Sequence, residues 1–349
     1  MVDSEHVVSG IANPEDAVDA GVTWHYGDPF GEQRAAERGA AVVDRSNRRV
    51  ITLTGPDRLS WLHSITSQHL TALPDGGSVQ NLNLDGSGRV LDHFWVTDSD
   101  GTAYLDTEPA TLAPKEAPLS PDLGTYLQRM VFRADVQVQA RDDLAVLTVF
   151  GPDAATVAEA VPGVRRSEPD EVNLIIERAA VPDAITTLVA AGARPVGTWA
   201  YEARRVAAAH ARAGLDTDDK TIPHEVNWIG TAVHLDKGCY RGQETIARVH
   251  NIGRPPRRLV LLHLDGSADA TPATGDPVTV DGRTVGRLGT VVEHADYGPI
   301  ALALIKRTIP DDAKLEAGGA AAAIDADVTP AADTAEQAGR SAVDRLRGR

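Results

Sequence analysis

A strand, a Gly-Pro-Asp turn and a helix follow one another at two places in this chain, and this recurrence constrains its architecture more than any other feature. The first runs from Arg49 through Val50-Ile51-Thr52-Leu53-Thr54 into Gly55-Pro56-Asp57 and on to Trp61-Leu62. The β-branched run predicts a strand, and Gly55-Pro56 forces a turn. Asp57 then falls in the first turn of a helix, where a carboxylate opposes the helix dipole. The second runs from Ala145 to Phe150, through Gly151-Pro152-Asp153, to Ala154-Ala155. Two origins fit: a pair of related α+β subdomains, or two separate uses of a common way to leave a strand.

The rest of the chain divides around these units. Residues 1–23 are acidic and weakly patterned and read as a loosely ordered lead-in. The region 24–140 begins with a helix read across Trp24 to Asp44, around Gln33 to Arg38, and a strand at Ala41-Val42-Val43. It continues with a hairpin, Val79–Leu84 and Val90–Val96, joined by the short Gly-rich loop Asp85-Gly86-Ser87-Gly88-Arg89. That loop lacks the third glycine and the following helix of a dinucleotide fingerprint. A strand at Ala103-Tyr104-Leu105, a Pro-rich connection at 109–121, a helix at Leu123–Met130 and a strand at Phe132–Gln139 follow. The region 141–254 holds strands at 145–150 and 170–178, a helix at 182–191, and a longer one from Trp199 to Ala213. Pro255-Pro256 then breaks the chain. Short strands with turns at Asp265-Gly266, Gly275-Asp276-Pro277 and Asp281-Gly282 predict a small β-barrel over 255–328, with a last strand near 324–328. Residues 329–349 are Ala-, Gly- and Asp-rich and read as a disordered or frayed tail.

Composition removes several function classes. The 349 residues carry 50 acidic against 34 basic side chains, a net charge of −16, which disfavours direct nucleic-acid binding. No run approaches the roughly 18 apolar residues of a membrane span. Residues 1–20 lack the charged start and apolar core of a secretory leader. A single cysteine excludes an internal disulfide framework and suits a reducing, cytoplasmic setting. It also falls short of the about four cysteines an ordinary iron–sulfur cluster takes, so no permanently bound cluster is expected.

That cysteine sits in Asp236-Lys237-Gly238-Cys239-Tyr240-Arg241-Gly242-Gln243-Glu244-Thr245. A lone cysteine is commonly a small buried hydrophobe. Here Lys237 and Arg241 flank it, and nearby cations favour a reactive thiolate. Gly238 and Gly242 allow close backbone approach to a ligand or a positive φ. From 237 to 258 the chain carries Lys237, Arg241, Arg248, Arg254, Arg257 and Arg258 against Asp236 and Glu244. This local inversion in an acidic protein fits an anionic ligand, or an edge strand protected by charge. His224-Glu225 is followed by Trp228 where a zincin needs histidine, and no zinc spacing, nucleophile elbow or P-loop is present.

Lys237-Gly238-Cys239-Tyr240-Arg241-Gly242-Gln243-Glu244 resembles the K-G-C-Y-x-G-Q-E signature of the YgfZ family of folate-binding proteins. Ile222-Pro223-His224-Glu225 and Ala247 to Gly253 resemble the same family. The wider chain, 24 to 308, is similar to the glycine-cleavage T-protein superfamily. That resemblance implies an α+β fold with two α+β subdomains and a C-terminal β-barrel arranged around a folate channel. It implies tetrahydrofolate, or a one-carbon derivative, as the ligand. It also implies partnership with iron–sulfur client proteins, with effects on tRNA modification through those clients. Cys239 and Lys237 become the candidate catalytic residues, and Asp92, Tyr240, Arg241, Gln243, Glu244 and Arg248 the candidate cofactor contacts. Asp92 matches the first of an aspartate pair in T-proteins, with His93 in place of the second. Ala207 stands where aminomethyltransferases carry a folate-binding glutamate. The expected function is therefore a folate-binding accessory factor in iron–sulfur cluster assembly or repair. The alternatives are an aminomethyltransferase-like one-carbon transferase and a non-catalytic folate sensor or scaffold.

Overall fold

Two five-stranded sheets and a closed six-stranded barrel account for the strands of the computed structural model beyond one short pair. It describes residues 10–109, 122–251, 253–267 and 269–329. The tail beyond Thr329, most of the Pro-rich connection and the first nine residues lie outside these.

Strands β1 (Ile11–Ala12) and β2 (Thr23–His25) pair antiparallel. Helix α1 (Pro29–Arg38) starts at Asp28, whose carboxylate accepts the Gly31 N–H at 2.9 Å, an N-cap bond. Next come β3 (Ala40–Asp44), β4 (Arg49–Thr54), α2 (Arg58–Ile65), β5 (Ser78–Leu84), β6 (Val90–Ser99), β7 (Thr102–Thr107), α3 (Leu123–Met130) and β8 (Gln137–Ala140). The first sheet runs β5-β6-β7-β4-β8, with every pairing antiparallel. The second half supplies β9 (Leu144–Phe150), α4 (Ala154–Ala158), β10 (Val164–Glu168), β11 (Glu171–Glu177), α5 (Val181–Ala190), β12 (Ala193–Val196) and α6 (Thr198–Ala207). Its sheet runs β10-β11-β9-β3-β12, and only β12 and β3 pair in parallel. Because β3 belongs here, the segment 24–140 contributes to both sheets. Helix α7 (Gln243–Asn251) precedes the barrel.

The two Gly-Pro-Asp turns have the same geometry. Gly55 and Gly151 both sit at φ 109°. A Cβ on Gly55 would strike the Asp135 carbonyl, and one on Gly151 the carbonyls of Ala36 and Gly39. The two strand–turn–helix units thus share one turn geometry. Neither aspartate caps its helix with its side chain; Asp57 instead accepts the Asp135 N–H at 2.8 Å.

The barrel closes in the order β13-β16-β15-β14-β17-β18. These strands are β13 (Arg257–Leu264), β14 (Pro277–Val280), β15 (Arg283–His294), β16 (Gly298–Lys306), β17 (Leu315–Ala317) and β18 (Ala320–Ile324). Period-two alternation along β13 sends Val260, Leu262 and Leu264 into the barrel interior. Leu259 and Leu261 face outward, into a core shared with Leu82, Leu84, Trp228 and Tyr240. That shared core joins the hairpin, the cysteine loop and the barrel.

Five sequence expectations shift. The helix expected across Trp24 to Asp44 is confined to Pro29–Arg38, because Trp24 is drawn into β2, Asp28 caps the helix start and β3 begins at Ala40. Residues 10–23, expected as a loose lead-in, bury Val22 and pair Asp19 with Arg212 at 2.7 Å. Helix α6 stops at Ala207 rather than Ala213, because Ala209 takes a left-handed φ of 52° and Arg205 Nη1 donates to the His210 carbonyl. The strand expected from Phe132 begins only at Gln137, since Asp135 is bonded through N–H and carbonyl to Asp57. The last barrel strand ends at Ile324, where the Asp325 carboxylate accepts the N–H groups of Asp327 and Val328 and turns the chain.

Candidate functional site

Strand β6 alternates like β13, and the alternation decides which of its side chains can meet a ligand. Phe94 and Val96 enter the core of the first sheet. His93 and Trp95, on the other face, line a central cavity of about 560 Å³. Asp92 lies on the Phe94 face, where its Oδ2 accepts the Asn83 amide at 2.9 Å. Burial pushes the Asp92 carboxyl up to about 6. His93, burial having lowered it to about 4, is a neutral imidazole at ordinary pH. It stacks on Trp228, ring centroids 4.6 Å apart and planes within 14°, and its Nε2 lies 3.0 Å from Gln80 Oε1.

The cavity draws on every module. The first sheet contributes β6; the second contributes β10 and α6; the connection after α6 brings Asn227 and Trp228; and Val328 reaches in from beyond β18. Two lining residues other than glycine hold left-handed backbones, Ala209 at φ 52° and Asn227 at φ 62°. Asparagine tolerates that region; alanine does so at a cost of about 1–2 kcal/mol.

Arginine dominates the polar lining, in an acidic protein. Arg48 binds Asp106 and reaches Glu108 at 2.6 Å. Arg212 binds the other Glu108 oxygen at 2.7 Å, Glu202 at 3.2 Å and Asp19. Arg205 continues the chain, holding Glu202 at 2.6 Å, Asp216 at 2.7 Å and Thr290 Oγ1 of the barrel at 2.6 Å. Arg166 reaches the free oxygen of Asp106 and covers the Trp95 ring at 4.3 Å. One ion-pair network thus crosses from the first sheet to the barrel along the cavity wall. Burial by itself would raise the carboxyls of Asp19, Asp106 and Glu108, yet the neighbouring arginines hold all three below the usual range.

The cysteine stretch lies outside this lining. Cys239 is exposed. The Lys237 ammonium donates to the carbonyls of His63, of Thr66 at 2.5 Å and of Gln68 at 3.1 Å. It thereby caps the C-terminus of α2, and burial lowers it to about 8. Tyr240 is buried in the shared core, and burial pushes its hydroxyl up to about 12. Its N–H donates to Gln243 Oε1 at 3.2 Å, opening α7. Arg241, Glu244 and Arg248 are exposed. Much of the cationic run is internally committed: Arg257 to Asp218 and Glu225, Arg258 to Asp311. Among the described residues no His, Cys, Asp or Glu cluster could hold a metal ion, and no helix is long and apolar enough to cross a membrane.

Of the residues singled out in the sequence, the structure gathers Lys237, Tyr240, Gln243 and Cys239 into one docked loop and places Asp92 on the β6 face turned from the cavity. Sequence reasoning missed Arg45, Trp95, Tyr201 and Trp228 as lining residues. The only local signal was the period of β6, which puts His93 and Trp95 on one face.

Comparison with known proteins gives five likenesses. Residues 257–332 match the family described as CAF17, C-terminal beta-barrel domain. A chloroplastic protein of Arabidopsis thaliana, provisionally assigned as a transferase, is 25% identical over 321 residues, 82% of this chain and 66% of its own length. An aminomethyltransferase of Nostoc sp. is 27% identical over 78% of this chain and 79% of its own. The tRNA-modifying protein YgfZ of Vibrio atlanticus is 24% identical over 77% and 85%. Among solved structures, the glycine cleavage system aminomethyltransferase T of Bartonella henselae superposes with a TM-score of 0.71 at 18% identity, covering 86% of this chain and 89% of that one. This is the fold of two α+β subdomains and a barrel expected above.

Proposed function

This chain belongs to the YgfZ family within the glycine-cleavage T-protein superfamily, and on that footing we propose that it binds tetrahydrofolate in the central cavity and serves iron–sulfur client proteins through Cys239. The observation that carries this is the cavity itself. Its volume of about 560 Å³ suits a small organic ligand, whose sites span roughly 300–1,000 Å³. The flat faces around Trp228, His93 and Tyr201 match a pterin and an aminobenzoyl ring. The arginines match a carboxylate-bearing glutamate. A neutral His93 offers the pterin a hydrogen-bond partner without a competing charge.

Cys239 has a different setting. Its exposure, with Arg241, Glu244 and Arg248 also exposed nearby in the chain, supports contact with a client rather than with the buried ligand. Tyr240, Gln243 and Lys237 then act by holding the loop. The single thiol supports transient chemistry on a client's cluster in a reducing compartment.

Calorimetry with tetrahydrofolate, followed by activity of cluster-dependent enzymes in a strain carrying Cys239→Ser, tests both halves. Expected are binding by the wild type, unchanged binding by the variant, and lost client activity. No binding removes the folate half; undiminished client activity removes the role of Cys239 and leaves a folate sensor. The aminomethyltransferase relatives favour a second reading, one-carbon transfer. Consumption of methylene-tetrahydrofolate with an added amine would support it, and a flat trace rejects it.

A further inference from the structure

Every arginine on the cavity wall except Arg45 is held by a described carboxylate. Arg48 has Asp106 and Glu108, Arg166 has Asp106, Arg204 has Glu171, Arg205 has Glu202 and Asp216, and Arg212 has Asp19, Glu108 and Glu202. Arg45 follows β3 directly, its backbone N–H fixed to the Val146 carbonyl at 3.0 Å. Its side chain is 7% exposed, and the guanidinium lies 4.2 Å over the Tyr201 ring. Among the described residues it makes no side-chain hydrogen bond and no ion pair. Asp19, Asp106 and Glu108 feel its charge. Both oxygens of each, however, are already bonded to Arg212, Arg48 or Arg166.

None of the nitrogens of Arg45 is sealed from solvent without a partner, so its N–H donors open on the cavity that it lines. The Tyr201 ring, 4.2 Å from the guanidinium carbon, supplies only part of the compensation for a charge drawn from water. Tyr201 itself cannot serve as an anion, because burial pushes its hydroxyl up to about 12. A carboxylate, with two oxygens in a plane, is the acceptor whose geometry matches a guanidinium edge.

We propose that Arg45, seated on Tyr201, is the anchor for a carboxylate of the cavity's ligand, and so fixes which end of that ligand faces this wall. The inference rests on the folate reading, in which the carboxylate belongs to the glutamate. Arg45 then selects glutamate-bearing folates over the same ring system without glutamate.

Tetrahydrofolate and tetrahydropteroate, which differ by the glutamate alone, are titrated into wild type, Arg45→Met and Arg45→Lys. The wild type is expected to prefer tetrahydrofolate. Arg45→Met should lose roughly 10- to 100-fold for tetrahydrofolate, the range for a charged hydrogen bond, with no change for tetrahydropteroate. Arg45→Lys should fall between. Thermal melts with and without ligand supply a second readout. Saturating tetrahydrofolate should raise the melting temperature of the wild type and raise that of Arg45→Met by less; an arginine with a purely structural role would lower the ligand-free melt and leave the ligand shift unchanged. Tetrahydrofolate binding that is equal in wild type and Arg45→Met, or equal losses for both ligands, overturns the Arg45 assignment alone. Failure of the wild type to bind either ligand overturns the folate reading and the assignment with it.

Discussion

Gly242 of the cysteine loop and Gly88 of the β5–β6 hairpin tip pack backbone against backbone. A Cβ on Gly242 would stand 2.7 Å from Gly88 Cα and 2.7 Å from the Asp85 carbonyl oxygen, and Gly242 itself holds φ 83°. Gly88, at φ 76°, would in turn bring a Cβ to 3.2 Å from the Gly242 carbonyl. Two glycine-bearing turns far apart in sequence thus form one joint, which fixes where the Cys239 loop leaves the hairpin. Gly242→Ala combines a left-handed backbone with a clash against main chain, at a cost of about 2–3 kcal/mol. Limited proteolysis should show cleavage first near 238–242. The double variant with Gly88→Ala should depart from the sum of the two by about 0.5 kcal/mol or more, as contacting sites do; strict additivity would separate the two turns.

Lys237 tests the division between holding and reacting. Replacing it with Met leaves the carbonyls of His63, Thr66 and Gln68 without their charged donor at the end of α2. A stability loss on the order of 2 kcal/mol is expected in urea unfolding. Iodoacetamide should then modify Cys239 as fast as before or faster, because the loop is looser. Slower modification in the folded variant would show that the ammonium acts on the thiol.

Asp92 gives a pH signature. Its folded carboxyl keeps its proton up to about pH 6, whereas the ordinary value is 3.8. Between these values the folded state binds more protons than the unfolded one, so stability falls as pH rises through the window. Asp92→Asn removes that slope. The variant should equal the wild type below pH 4 and exceed it by about 1–3 kcal/mol at pH 7.5, read from denaturant midpoints. A constant difference across pH would refute the burial argument.

The carboxylates of the ion network carry the opposite sign. Glu108 is held below its ordinary value of 4.5 by Arg212 and Arg48 against its burial. Its contribution is complete above that value and is lost as pH falls through the depressed one. Glu108→Gln should cost about 3 kcal/mol at pH 7 and progressively less in acid, so that the two unfolding curves converge. Parallel curves down to pH 2 would show that the pairing is not what stabilises this wall.

Much of the framework was legible in the sequence because it is written in short stretches. The Gly-Pro-Asp turns, the Gly-rich hairpin tip, the Pro255-Pro256 break and the barrel turns each rest on backbone chemistry within a few residues. The K-G-C-Y-x-G-Q-E stretch carried the family in the same local way. Limits appeared where a local tendency met a distant partner: the Ala-rich run after Ala207 could have stayed helical, but Arg205 and Asp216 bind it into a turn against Thr290 of the barrel.

Beyond the period of β6, the lining of the cavity was not legible. Its arginines are scattered from Arg45 to Arg212, and none has a neighbour in sequence that marks it as lining. Sequence by itself determined where most strands, turns and helices fall, though not where each ends, and that a single thiol sits among glycines and cations. Tertiary structure alone decided that Lys237 spends its charge on the end of α2, that Asp92 turns from the cavity while His93 faces it, and that Arg45 is left without a carboxylate. The reason is physical: pairing and burial of charges depend on which side chains the packed sheets bring together, and that information is spread over the whole chain.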